Sequence, residues 1–306
     1  MRRTARLLAA LLPVLLAGSL TACSGGGGSD LPTASGKFGD KPKITVAKDT
    51  KAAKTLESDV LVEGDGPTVK KGDLLVADYL GETYANKKVF DNSYDRKVPA
   101  AFPIGTGNVI PAWDKVLVGA KIGSRVLMSV PPKQGYGKKG NEQAGIKGTD
   151  TLVFVVDLIA RYPKNGTAQK NTPVTGLPAG LPTVKGDAGS EPTITVPGNA
   201  TPPEAPKVTV LAKGTGPAVS KGKLAVVEYT AVDFTGKAVG SSWQQGPQGV
   251  PIGGAQASPF DLLEGVPTGS RVLLTLPAQT GTDPKTGSVA VVIDLLGLHG
   301  PAKEST

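Results

Sequence analysis

The chain has 306 residues and a formal net charge of +8, with one histidine and one cysteine. This length predicts about two domains, each able to bury its own core. A lone histidine, His299, gives no support to His-based triads or zinc sites, and a lone cysteine excludes an internal disulfide. The basic residues are scattered without interleaved aromatics, which indicates a solvated surface rather than a nucleic-acid site. We therefore expect no metal, no cofactor and no nucleic-acid partner.

An export signal is predicted at residues 1–22. Three arginines in the first six residues precede the apolar run Leu7–Leu20, which is too short to span a bilayer. Without those arginines, 31 basic residues face 26 acidic ones, a net charge of +5. The sequence Leu20-Thr21-Ala22-Cys23 resembles the lipobox of bacterial lipoproteins. That resemblance implies lipidation of Cys23, by palmitate among other acyl chains, and anchoring at the outer face of the cell membrane. The alternative is an ordinary signal with an incidental cysteine.

Two copies of one unit follow a short tether. Residues 23–36 begin with a Gly/Ser run that predicts flexible coil. Six motifs then recur after about 150 residues: Pro42–Val46 as Pro192–Val196, Gly64–Pro67 as Gly214–Pro217, Val69–Gly72 as Val219–Gly222, Asp78-Tyr79 as Glu228-Tyr229, Pro103–Gly105 as Pro251–Gly253, and Gly123–Val126 as Gly269–Val272. So long a period indicates duplicated domains rather than a solenoid. We predict domains at 37–162 and 181–299, a linker at 163–180 and a tail at 300–306.

Strand patterns dominate each copy. In the first, Leu74–Leu80, Arg125–Val130 and Leu152–Leu158 are short, rich in β-branched or aromatic residues, and bounded by Gly or Pro. One short helix is predicted at about 112–118, with Pro111 near its first turn and Gly119 as its stop. The predicted class is α+β, with a bent antiparallel sheet of about five strands around one helix in each copy.

Seven motifs of the first copy occur in a characteristic order. They are Gly81, Lys88–Ser93, Val109–Asp114, Gly123–Arg125, Pro131-Pro132, Gly135–Gly137 and Thr151–Phe154. Together they resemble FKBP-type peptidyl-prolyl cis-trans isomerases over about Leu61–Tyr162. The resemblance implies a half-barrel fold, isomerisation of X–Pro bonds without a nucleophile, and binding of rapamycin-type macrolides.

The same resemblance implies a site, residue by residue. It assigns Asp91, Tyr136, Tyr79 and Phe90 to catalysis. It assigns substrate contacts to Trp113 as the floor, Phe102 and Phe154 as walls, Val109 and Ile110 as the rim, Ile146 in the flap, and Arg96 as the partner of Tyr79 and Asp91. The Ile110 backbone N–H is expected to bind the substrate carbonyl. Any single ring can equally be core, Asp91 can instead cap the following turn, and Tyr136 can instead pack a turn.

Two further features of the first copy bear on the predicted site. Ala100 stands where the family often has an aromatic residue, which predicts a wider or shallower pocket on that side. Gly135–Gly140 also matches the dinucleotide fingerprint G-x-G-x-x-G, but it follows two prolines and opens no helix, so we reject a phosphate site.

The second copy lacks most of these residues. It has Val239-Gly240 at the Phe-Asp position, Phe260 for Trp113, Val250 for Phe102, and the flap Pro277–Lys285 without a tyrosine. We predict a folded but nearly inactive domain.

The leading hypothesis is a monomeric, membrane-tethered isomerase that assists the folding of proline-containing exported polypeptides. The alternative is a non-catalytic chaperone or scaffold lipoprotein, and solute capture for a transporter is a weaker third.

Overall fold

The computed structural model describes residues 31–48, 50–164, 171–254 and 256–304. The predicted signal, Cys23 and most of the predicted tether lie outside these residues. The strands are β1 Thr33–Ser35, β2 Lys43–Thr45, β3 Glu57–Val62, β4 Leu74–Thr83, β5 Val89–Asn92, β6 Ala100–Pro103, β7 Arg125–Val130, β8 Leu152–Tyr162, β9 Thr172–Pro173, β10 Thr183–Lys185, β11 Thr193–Thr195, β12 Lys207–Lys213, β13 Leu224–Asp233, β14 Ala238–Ser241, β15 Gln248–Pro251, β16 Arg271–Leu276 and β17 Val289–His299. The α-helices are α1 Pro111–Val116 and α2 Pro284–Gly287, and 3₁₀ turns span Pro132–Gln134, Gly137–Lys139, Pro259–Leu263 and Ala302–Glu304.

The first large sheet is antiparallel and has the order β3-β7-β8-β4-β5, with β6 also paired to β4. Successive side chains of a strand point to opposite faces, and β4 shows this directly. Leu75, Ala77 and Tyr79 enter the core that contains α1, whereas Leu74 and Val76 pack on the other face against residues of a second sheet. We call this sheet with α1 the first unit.

Helix α1 begins and ends close to its prediction. Pro111 occupies its first turn, where a missing N–H costs nothing, and Gly119 adopts φ +95° just beyond its end. The helix ends at Val116 rather than near 118. It buries Ala112 and Trp113 against the sheet.

The second large sheet repeats this order as β14-β13-β17-β16-β12, with β15 paired to β13 and β9 added beyond β12. We call it the second unit. The expected helix is a 3₁₀ turn here, Pro259–Leu263, with Ser258 capping its start and Gly265, at φ +84°, two residues after its end. The prediction of one short α-helix against each sheet is therefore wrong for this unit. Among the described residues of this unit, the α-helix is α2, which lies in the shortened flap.

Three segments outside the predicted domains have regular structure. Strand β1 lies within the predicted tether and pairs with β2, because Ala34 and Ile44 pack on the outer face of the first sheet. Strand β9 lies within the predicted linker and extends the second sheet. In the predicted tail, Ala302 is fully buried. The predicted tether, linker and tail thus each contain residues that pair with or pack on a sheet.

Each unit carries one buried ion pair that holds a hairpin. Arg125 bonds both oxygens of Asp157 at 2.6 and 2.7 Å, and its remaining N–H groups donate to the carbonyls of Gly36 and Asp40. Arg271 repeats this arrangement with Asp294. Buried pairs are stable only when further hydrogen bonds satisfy the charged groups, and here every guanidinium nitrogen has an acceptor.

The two units share an apolar contact. Leu74 and Val76 of the first pack with Leu224, Val226 and Leu296 of the second. Within the described ranges, we find no helix with both the length and the apolar character to cross a bilayer.

Candidate active site

A cavity of about 700 Å³ opens between β4, β8 and α1. Its lining residues are Tyr79, Phe90, Asp91, Phe102, Asn108, Val109, Ile110, Pro111, Trp113, Gly135, Tyr136, Asn141, Gln143, Ala144 and Phe154. Nine of the eleven residues predicted from the sequence are in this set. The structure brings them together from five elements and two loops that are distant along the chain.

Aromatic rings form the deep part of the cavity. Trp113, only 4% exposed, lies with its ring centroid 4.7 Å from Phe102, 5.5 Å from Phe154 and 5.6 Å from Tyr79. All three contacts are edge-to-face, the geometry that the ring quadrupoles favour. The result is an apolar floor whose rings hold one another in place. The Trp113 indole N–H is buried and has no acceptor among the described residues.

Gly81 makes room for the wall of the cavity. A Cβ at this position would lie 2.6 Å from the Phe90 ring and 2.8 Å from the Phe154 ring. Those two rings meet edge-to-face across it with centroids 5.6 Å apart. Only glycine therefore allows both aromatic side chains to cross β4 at this point.

A polar cluster lies at one side of the rings. The Tyr79 hydroxyl donates to Asp91 Oδ2 and accepts from the Arg96 guanidinium at 3.0 Å, while Arg96 also pairs with Asp91 Oδ1. Burial raises the pKa of Tyr79, and its bond to Asp91 raises it further. Tyr79 therefore stays a neutral donor, and Asp91 presents a carboxylate held from two sides. Asp91 and Arg96 remain 43% and 49% exposed, so a ligand can reach them.

The loop between β7 and β8, which we call the flap, forms the outer wall of the cavity. Tyr136 is 37% exposed and lies over the cavity, followed by Asn141, Gln143 and Ala144. These last three were not predicted, although their position between Tyr136 and Phe154 places them in the flap. Ile146, which was predicted, is instead buried in the core and closes the flap through a two-way backbone pairing with Asn141.

The rim contains a free donor. Ile110 precedes α1 in an extended conformation, φ −60° and ψ 146°, and it lines the cavity with Val109. Among the described residues, no acceptor is found for the Ile110 N–H. Asn108 and Pro111, also missed by the sequence analysis, complete this edge. Arg96, which was grouped with the substrate-binding residues as the partner of Tyr79 and Asp91, makes both of these contacts but is not among the residues that line the cavity.

The second unit lacks the corresponding polar cluster. Gly240 pairs with Ala231 where Asp91 pairs with Gly81, and Gln245 stands at the position of Arg96. Val239, which replaces Phe90, is 58% exposed. Phe260 and Tyr229 keep one edge-to-face contact, with centroids 6.4 Å apart.

The cavity offers shape, aromatic surface and hydrogen-bonding groups, and its lining contains no paired nucleophile and base. In the part of the chain that is described, no three metal-ligating side chains converge. Its residues can therefore act on a bound group by desolvating it and by donating hydrogen bonds.

Comparison with known proteins identifies the first unit. Residues 66–159 match the model of the FKBP-type peptidyl-prolyl cis-trans isomerases. An FK506-binding protein of Streptomyces anulatus is 37% identical over 98 residues, 32% of this chain and 79% of that protein. FK506-binding protein 1 of Debaryomyces hansenii is 40% identical over 109 residues, 35% of this chain and 96% of that protein. The chain belongs to the FKBP family.

A further curated relative and a solved structure also match part of the chain. Peptidyl-prolyl cis-trans isomerase FKBP15-1 of Arabidopsis thaliana is 41% identical over 90 residues, which are 29% of this chain and 58% of that protein. The crystal structure of AtFKBP13 matches at 32% identity and a TM-score of 0.33, covering 36% of this chain and 95% of that one. Every residue that lines the cavity lies inside the FKBP match at 66–159, and the second unit lies outside it.

Proposed function

We propose that the first unit isomerises X–Pro peptide bonds, and that the aromatic cavity is its site. The observation that carries this proposal is the convergence of Tyr79, Phe102, Trp113 and Phe154 on one dry cavity beside the Asp91 carboxylate. No covalent chemistry is needed, because the reaction is a rotation about one C–N bond. The barrier of about 18–20 kcal/mol comes from amide resonance.

The rings favour the rotated state. Twisting the bond removes resonance and leaves a less polar imide. When water is excluded, this imide loses less hydration free energy than the planar amide does. The proline ring would lie on Trp113, and the preceding carbonyl would accept from the Ile110 N–H at the rim. An acceleration of about 10⁴-fold requires only about 5.5 kcal/mol. Desolvation with one or two hydrogen bonds can supply this.

Asp91 gives the cavity a polar side. Its carboxylate is held by Tyr79 and Arg96, so it faces the bound amide in a fixed orientation. Tyr136, on the exposed flap, would donate its hydroxyl to the ligand. The same donors and rings suit a macrolide of the rapamycin type, which is the ligand class we propose for an inhibitor.

One substitution pair tests this proposal in the full chain. Asp91→Leu should lower kcat/KM on a proline tetrapeptide by roughly tenfold or more, because it removes a group that contacts the rotating bond. Gly240→Leu is the matched control, since it occupies the equivalent pairing position in the second unit and a Cβ there meets open space. We expect the control to retain full activity. Equal rates for wild type and Asp91→Leu would refute the role of Asp91, and a wild-type rate equal to buffer would refute the enzyme.

We further propose that the chain contains two FKBP-like half-barrels, 37–162 and 181–299, of which the second is non-catalytic. The repeated strand order and the repeated Arg271–Asp294 pair support a common fold. Gly240, Gln245 and the exposed Val239 argue against a second proline site. We propose a spacer or partner-binding role for this unit. If the whole chain were instead a chaperone or scaffold, suppression of client aggregation would survive a macrolide that fills the cavity.

The cellular site is also a proposal. The lipobox resemblance at Cys23 supports a monomeric lipoprotein at the outer face of the cell membrane, acting on proline-containing exported polypeptides. Incorporation of labelled palmitate should occur in the wild-type chain and not in Cys23→Ala. Fractionation of Cys23→Ala with the membrane as firmly as wild type would contradict the anchor.

A further inference from the structure

A buried hydrogen-bond chain lies on the opposite face of β4 from the cavity. Ser93 Oγ donates to Asp78 Oδ1 at 2.6 Å and accepts from the Tyr79 N–H at 2.9 Å. The Ser93 N–H donates to the Tyr79 carbonyl at 3.0 Å. Ser93 thus holds the main chain of Tyr79 from both sides, two residues beyond Asp91. Asp78 and Ser93 are both fully buried.

The second oxygen of Asp78 is bonded from the far end of the chain. The Ala302 N–H donates to Asp78 Oδ2 at 2.7 Å, and Ala302 is itself fully buried. Residues 300–304 follow β17 of the second unit and pack on the turn at Gly39, where a Cβ would lie 2.6 Å from the Lys303 nitrogen. Lys303 also pairs with Asp40 at 2.9 Å on the surface. We call these residues the 300–304 segment.

The two bonds to Asp78 determine which way the Ser93 hydroxyl points. Burial raises the pKa of Asp78, whereas the bonds from Ser93 and Ala302 lower it and so favour the carboxylate. A carboxylate can only accept, so the Ser93 proton must point toward it and a lone pair is left for the Tyr79 N–H. Without the Ala302 N–H, one buried oxygen has no donor and the acid form gains. Asp78 could then donate to Ser93, and the fixed direction would be lost.

The second unit has the same pair of serine–tyrosine backbone bonds, but no donor to its acidic residue is found among the described residues. Ser242 makes both backbone bonds to Tyr229, each at 2.9 Å. Glu228 replaces Asp78, and in the described part of the chain neither of its oxygens has a partner. The extra donor is therefore supplied to the unit that has the Tyr79–Asp91–Arg96 cluster and not to the unit that lacks it.

We propose that the 300–304 segment, carried by the second unit, is a positioning segment for the active site of the first unit. The Ala302 N–H holds Asp78, Asp78 orients Ser93, and Ser93 fixes the main chain of Tyr79 and with it the cluster at Asp91. This inference rests on the proposed isomerase function. It gives the second unit a role in the catalysis of the first that needs no proline site of its own.

Three variants of the full chain test the segment. Ala302→Pro removes the N–H, Ala302→Gly keeps it, and Lys303→Ala removes the exposed pair with Asp40 while keeping the Ala302 N–H. We expect kcat/KM on a proline tetrapeptide to fall about fivefold or more in Ala302→Pro, to stay within about twofold in Ala302→Gly, and to be unchanged in Lys303→Ala. The amide ¹H shift of Tyr79 is measured in parallel, because it reports its bond to Ser93 independently of global stability. It should move in Ala302→Pro alone.

A second variant covers the case in which Ala302→Pro does not fold. Ser93→Ala should show the same loss of kcat/KM, and in a folded double variant the two losses should not add, because both act through one chain of bonds. Additive losses, or a folded Ala302→Pro with wild-type kcat/KM and an unmoved Tyr79 shift, would overturn the inference. If the wild-type chain had no isomerase activity, the proposed function would fail. The Tyr79 shift in Ala302→Pro would then still decide whether the segment positions this residue.

Discussion

Replacement of Glu228 by glutamine should remove a steep loss of stability that the second unit undergoes above pH 5. Glu228 is fully buried on β13, and among the described residues neither carboxyl oxygen has a hydrogen-bond partner. Burial raises its pKa to about 8, and the nearby Asp294 adds to the shift. The protonated acid is therefore the form that the fold accommodates.

The sign and size of the effect follow from proton linkage. The folded state holds this proton up to about pH 8, whereas the unfolded chain releases it near the ordinary value of 4.5. The stabilisation is complete below pH 4.5 and is lost as the pH rises through 8. At about 1.4 kcal/mol per pH unit, the loss over this window is roughly 5 kcal/mol as an upper figure. Glu228→Gln carries no such proton, so its stability should not show this slope.

Fluorescence can isolate the second unit. The chain has two tryptophans, Trp113 in the first unit and Trp243 in the second, so a Trp113→Phe background leaves one reporter of the second unit. Free energies of unfolding in urea, measured from pH 5 to 9 in this background with and without Glu228→Gln, should diverge by several kcal/mol. Glu264→Gln, which removes a half-exposed carboxylate of the same unit, is the control for loss of charge. Parallel curves with and without Glu228→Gln would refute the reasoning.

Two further predictions concern the cavity and the contact between the units. Gly81→Ala should lower the free energy of unfolding by roughly 1–3 kcal/mol and reduce kcat/KM, because the new methyl displaces the Phe90 and Phe154 rings, whereas Gly240→Ala should change neither in the same urea and tetrapeptide assays. An unchanged Gly81→Ala chain would contradict the close approach. His299, whose Nε2 lies 2.6 Å from the Tyr162 hydroxyl, has its pKa lowered to about 4 by burial, so it should stabilise the fold above pH 6.5 and lose that contribution as the pH falls toward 4. A ¹H NMR titration of this single histidine should give a midpoint near 4, and a midpoint near 6.5 would show that the ring is exposed.

Sequence patterns predicted the elements that local chemistry determines. The three predicted strands of the first unit are present: β7 has the predicted bounds, whereas β4 extends further to Thr83 and β8 to Tyr162. Pro111 and Gly119 bracket α1 as expected. Period-two alternation and turn residues are local properties, so one sequence suffices to read them. The cavity residues were predicted through the resemblance to the FKBP family, which assigned each of them by its place in an ordered set of motifs.

Contacts between residues that are far apart in the sequence could not be predicted from local patterns. Strand β9 forms because the β12 edge offers free backbone groups at Ala212 and Lys213, and nothing in Thr172 or Pro173 signals a strand. The buried position of Ala302 depends on Asp78, which is 224 residues earlier in the chain. The flap residues Asn141 and Gln143 are polar and would suit any loop. Their place over the cavity follows only from the two-way pairing that folds the flap back on itself.

The two units differ by a set of residues, and not by one, at the positions that line the cavity of the first. In the first, Gly81 leaves the space that the Phe90 ring fills, and Asp91 follows directly on the same strand. In the second, Ala231 stands at the position of Gly81 and Val239 at that of Phe90. The Ala231 methyl group occupies the space, and the smaller Val239 side chain is exposed to solvent. Val239→Phe alone would meet the Ala231 methyl, and Ala231→Gly alone would leave a gap beside an exposed valine. Because each change costs stability without the other, no single substitution gives the second unit a ring-lined cavity.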